Sequence, residues 1–110
     1  MKIEHPLLNE VINKLLDQGL KISIFKDDKG IIWFDLNTMS KSDLYIRADE
    51  NNSLITKGRY EYLDGVINSY EELLDTAIRH MCGRRFINED WKKILVSNKR
   101  LRMKQTLEFN

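Results

Sequence analysis

Proline is nearly missing from this chain, with Pro6 the only one. Cysteine also occurs once, as Cys82, so no disulfide can close within the chain. A reducing compartment, the cytoplasm, is the default expectation for such a sequence. The five glycines stand apart at positions 19, 30, 58, 65 and 83, which excludes a glycine-rich phosphate loop. No run approaches the roughly 20 apolar residues that cross a bilayer. Met1 to Leu8 holds no apolar signal-peptide core. His5 and His80 are the only histidines, and with Cys82 they match no zinc spacing. No metal or other cofactor is therefore expected. Nor do repeats, low-complexity tracts or linkers break the chain.

What is present suits one folded unit. The 110 residues are 42 % hydrophobic, enough for an interior, and 32 % charged, enough for a solvated surface. A single domain over residues 1–110 is expected, with 99–110 as a mobile basic tail. The formal net charge of +1 calls for no polyanionic partner.

The first helix is signed by Pro6, which is tolerated in a first turn. Leu7, Leu8, Val11, Ile12, Leu15 and Leu16 follow at helical spacing, and Gly19 marks the stop. A hairpin comes next. Leu20 to Lys26 alternates, Asp27-Asp28-Lys29-Gly30 turns, and Ile31 to Leu36 returns. A three-residue loop with left-handed Gly30 sets Asp27 opposite Ile31, Ile24 opposite Phe34 and Ile22 opposite Leu36. Leu20, Ile22, Ile24, Ile32, Phe34 and Leu36 then share the inward face. A slip of one residue would mix the faces, so burial selects this register. The opposite face carries Phe25 across from Trp33, beside Ile31.

A third strand over Asp43 to Ala48 sends Leu44 and Ile46 inward and Tyr45 and Arg47 outward. Asp49 to Ser53 has turn composition. A fourth strand runs from Leu54 to about Tyr60, with its facing ambiguous. Ser69 and Glu72 have the spacing of a capping box ahead of Leu73, Leu74, Ala77, Ile78 and Met81. Gly83 ends that helix. A third helix starts near Asn88 and buries Trp91, Ile94 and Leu95. The expected class is α+β in the order α-β-β-β-β-α-α, with a three- to four-stranded antiparallel sheet.

Catalytic equipment is not apparent. His80 and Cys82 diverge by about 200° on a helix, so they form no nucleophile–base pair. The turn positions of Asp27, Asp28, Asp49 and Glu50 already account for those carboxylates. The expectation is a protein without enzymatic activity. Two surfaces remain. Phe25, Trp33, Tyr45 and Arg47 on the outer sheet face are of the residue types that anchor protein interfaces. Arg84, Arg85, Lys92, Lys93, Lys99, Arg100, Arg102 and Lys104 make residues 84–104 strongly basic. Against Glu89 and Asp90 they leave that segment at +6 and the remainder at −5. Such segregation suits nucleic acid or an acidic partner.

Ser69-Tyr70-Glu71-Glu72-Leu73-Leu74, then Met81-Cys82-Gly83-Arg84-Arg85-Phe86 and Asn88-Glu89-Asp90-Trp91, resembles small uncharacterised accessory proteins of tailed bacteriophages. The resemblance covers about residues 69–95. It implies an accessory protein that binds and inhibits a host factor in the host cytoplasm, in host takeover or counter-defence. The leading expectation is thus a small protein acting by protein–protein contact. Nucleic-acid binding through the basic segment is the alternative, and a small enzyme with its site at a dimer interface is a third. A homodimer through a sheet edge or through the Phe25–Trp33 face is open.

Overall fold

A computed structural model describes residues 2–36, 44–51, 53–58, 65–83 and 89–97. In chain order these form α1 (Pro6–Asp17), β1 (Ser23–Lys26), β2 (Ile32–Asp35), β3 (Leu44–Ala48), β4 (Leu54–Gly58), β5 (Gly65–Ile67), α2 (Tyr70–Gly83) and α3 (Glu89–Ser97). The class is α+β, as the sequence indicates. The strands form one antiparallel meander in the order β1-β2-β3-β4-β5. Residues 1, 37–43, 52, 59–64, 84–88 and 98–110 lie outside the described ones, including the expected Asn88 cap and the tail at 99–110.

Helix α1 begins at an unusual cap. Pro6 takes the first helical position, where its missing N–H is harmless. His5 precedes it, and its Nδ1 accepts the Leu8 N–H at 3.1 Å. An accepting Nδ1 leaves the ring hydrogen on Nε2, which is buried without a partner among the described residues. The helix ends in a Schellman motif. Gly19 adopts φ +96°, its N–H reaches Leu16 O at 3.0 Å, and the Leu20 N–H reaches Leu15 O at 3.0 Å. The Leu15–Leu20 pair is buried beneath that turn.

The hairpin register is as expected. Ile24 faces Phe34, Phe25 faces Trp33 and Lys26 faces Ile32. Gly30, at φ +82°, donates to Asp27 O at 3.0 Å, and the Asp27 N–H donates to Ile31 O at 2.9 Å. A type I turn closed by a glycine bulge matches the twist of the two strands. In β3, Leu44 and Ile46 are buried and Tyr45 and Arg47 take the other face. Strand β4 follows in register, with Thr56 opposite Ile46 and Ile55 opposite Arg47. Leu54 and Thr56 therefore face inward, and Ile55 and Lys57 outward.

The sheet has five strands, one more than the sequence suggests. Strand β5 spans only three residues, too few to show alternation. Its pairing with β4 and the burial of Ile67 opposite Leu54 define it. Helix α2 starts as expected, with Ser69 Oγ accepting the Glu72 N–H at 3.1 Å. The reciprocal bond is displaced by one residue, since Glu72 Oε2 takes the N–H of Asn68 at 2.8 Å.

One inner face packs the core. Leu8, Val11, Ile12 and Leu15 of α1 meet Phe34, Leu36, Leu44, Ile46, Leu54 and Ile67 of the sheet side. Leu73, Leu74, Ala77 and Ile78 of α2 and Trp91, Ile94 and Leu95 of α3 complete it. Met81 lies outside the described side chains. Trp91 is fully buried, and its indole N–H donates to Leu36 O at 2.6 Å. Lys14 lies over the Tyr70 ring at 5.0 Å and links α1 to α2. Ser97 Oγ contacts Gln18 Oε1 at 3.3 Å and links α3 to the end of α1.

Two expected core residues are not covered. Along the inner face of β2, exposure rises from Leu36 at 0 % to Phe34 at 8 % and Ile32 at 52 %. Ile24 beside Phe34 is also 52 % exposed. These side chains have the expected facing without the expected burial.

Trp91→Phe leaves the Leu36 carbonyl unsatisfied in the core and should cost about 1–3 kcal/mol in urea unfolding. His5→Ala removes the α1 cap and should cost about 0.5–2 kcal/mol, whereas His5→Asn supplies a preferred cap and should hold the wild-type midpoint.

Candidate functional site

The outer sheet face gathers three of its side chains through period-2 geometry and register. Phe25 on β1, Trp33 on β2 and Tyr45 on β3 all project to the side away from the core. The Phe25 and Tyr45 rings meet edge-on, with centroids 5.2 Å apart and planes at 71°. Trp33 and Tyr45 also meet edge-on, at 6.4 Å and 65°. The Arg47 guanidinium lies over the Trp33 ring at 5.3 Å. Its Nη1 reaches Ala48 O at 3.4 Å, and its Nε is buried without a partner among the described residues. A cation over an indole face adds about 0.5–2 kcal/mol and fixes a long side chain in place.

Asp27 anchors this cluster from the turn. Its Oδ1 accepts the Lys29 and Ile31 N–H groups, each at 2.9 Å. Its Oδ2 accepts the Trp33 indole N–H at 3.0 Å. The Trp33 bond first, then the Ile31 N–H, holds the carboxyl below its ordinary value, with Lys29 adding to the effect. Asp49 repeats the backbone part in the next turn, where Oδ1 accepts the Asn51 and Ser53 N–H groups at 2.9 Å each. The turn explanation for both aspartates is thus correct. For Asp27 it is incomplete.

An open concavity of about 700 Å³ lies over this face. Phe25, Trp33, Tyr45 and Arg47 line it together with Asp27, Ile55, Lys57 and Val66. All four side chains singled out from the sequence therefore fall in one place. Their availability differs. Trp33 is only 9 % exposed, while Phe25 is 37 % exposed and Val66 is open. Trp33 serves as the platform, and the accessible apolar surface is Phe25 and Val66. Sequence pattern alone does not point to Ile55 and Val66, because the facing of β4 is ambiguous in it and β5 is too short to show a period. The register would have revealed Asp27, because it places Trp33 diagonally across from it.

The basic segment is described only in part. Lys92 and Lys93 are exposed on α3, and Lys92 pairs with Glu89 at 3.1 Å. Arg84, Arg85, Lys99, Arg100, Arg102 and Lys104 lie outside the described residues. Among the described residues, no group of three or more His, Cys, Asp or Glu is placed to hold a metal ion. No helix among them is long and apolar enough to cross a membrane. No protein-family model, curated protein or solved structure matches the chain.

The geometry around Asp27 carries a pH prediction. A carboxyl whose pKa is depressed by folding stabilises the fold above its unfolded value and loses that contribution as pH falls through the folded one. The urea-midpoint gap between wild type and Asp27→Asn should therefore be largest at pH 7. It should shrink steadily below about pH 4. A gap that is constant down to pH 2 would remove the role assigned to the Asp27 charge.

Proposed function

We propose that this protein acts without chemistry of its own, by docking another protein on the outer face of its sheet. The observation behind this reading is the interlocked Phe25–Tyr45–Trp33 cluster with Arg47 laid across it. Aromatic residues and arginine are the types that dominate interface energetics, and a rigid anchor loses little entropy on binding. The neighbouring Ile55 and Val66 extend the apolar area, and Lys57 supplies a polar rim. The resemblance of residues 69–95 to phage accessory proteins directs the search for the partner to proteins of a bacterial host. Inhibition of a host factor is the expected consequence.

The test is a comparative capture from bacterial lysate. Wild-type protein should retain a stoichiometric partner. Phe25→Ser combined with Arg47→Glu should weaken that binding by at least about tenfold, the scale of hot-spot loss. Lys92→Glu combined with Lys93→Glu should leave it unchanged. Absence of any stoichiometric partner would count against the reading. So would a nucleic acid retained by wild type and lost only in the lysine variant.

A further inference from the structure

The geometry points to a second binding surface on this chain: the edge of β1, unpaired among the described residues, which fits a second copy of the chain. Strand β1 is the outermost strand of the sheet. Its hydrogen-bonding directions follow from the turn. The Asp27 N–H points to β2, where it meets Ile31 O. Antiparallel strands alternate these directions, so the main-chain groups of Phe25 and Ser23 also point to β2. Those of Ile22, Ile24 and Lys26 point away from the sheet. Such a row is a template for another strand.

The sequence of this edge is complementary to itself. A two-fold axis through Ile24 sets Ile24 against its own copy and Ile22 against Lys26. All three outward-pointing residues then exchange main-chain hydrogen bonds. The same axis sets Lys21 against Asp27 twice, so opposite charges meet at both ends of the strand pair. Facing is conserved as well, because odd positions meet odd ones and even positions meet even ones. Moving the axis to Ser23 or Phe25 loses both charge pairs.

The exposed apolar residues are concentrated here. Among the described residues, Ile24, Phe25 and Ile32 are three of the five large hydrophobic side chains left open. Ile24 and Ile32 are each 52 % exposed, and a second copy would bring a matching isoleucine pair beside them. The opposite edge, β5, has three residues against the four of β1 and lacks its self-complementary charges. The dimer joins two sheets into one of ten strands, with the aromatic faces on a common side. It does not depend on the docking partner proposed above.

Sedimentation of the full chain tests this inference. Wild type should show a concentration-dependent dimer in the micromolar range, as befits a small interface. Ile24→Pro removes an N–H that points away from β2, so the hairpin should survive with an unchanged circular dichroism spectrum. By symmetry it deletes two intermolecular hydrogen bonds, and the dissociation constant should rise by at least about tenfold. Lys21→Glu sets like charges against Asp27 and should weaken the dimer independently. Register is read by cross-linking in a Cys82→Ser background. Ile24→Cys should oxidise to a covalent dimer, and Lys26→Cys should not. A wild-type chain monomeric to several hundred micromolar would overturn the inference. So would a dimer that persists in folded Ile24→Pro, or cross-linking at 26 in preference to 24.

Discussion

The carboxylate of Asp27 is the constraint on which the outer face depends. One oxygen gathers the N–H groups of Lys29 and Ile31 and so fixes the turn. The other holds the indole of Trp33. Turn geometry sets the register of β1 on β2, and register decides which side chains stand on each face. The orientation of Trp33 in turn provides the ring on which Arg47 lies and which Tyr45 meets edge-on. Backbone closure and the arrangement of the surface are thus two effects of one side chain. Asp49 has the first of these effects without the second.

Much of this fold was legible because hydrophobic period and turn chemistry agreed. Alternation over Leu20 to Leu36, together with a glycine placed for a left-handed turn, left one register that keeps the faces separate. The stripe of α1 and its Gly19 stop were equally plain. Features set by a partner strand or by an atypical residue were hidden. Strand β5 exists because β4 offers it an edge, and three residues carry no period of their own. A histidine is not an expected N-cap, yet before Pro6 its Nδ1 reaches the Leu8 N–H. Ile24 and Ile32 have the facing the alternation predicts without the burial, because facing follows from local pattern whereas coverage depends on what packs above it.

The candidate site divides along similar lines. Phe25, Trp33, Tyr45 and Arg47 could be assigned to one face from parity and pairing alone. Their relative exposure could not, because it depends on how rings and guanidinium stack against one another. Trp33 is mostly enclosed. Its more open neighbours are Phe25 and Val66, the latter on a strand the pattern did not reveal. The basic positions 84–104 illustrate another gap, because charge counted along a chain does not locate it in space.

The two tryptophans occupy opposite sides of the sheet in unlike surroundings. Trp91 is sealed in the core, with its N–H on a carbonyl. Trp33 lies on the reverse face, between a carboxylate at its N–H and a guanidinium over its ring. Their fluorescence should therefore be separable, one emission following the integrity of the interior and the other following events at the outer surface. The protein carries two intrinsic optical probes, and replacing either ring would leave a signal from one face alone.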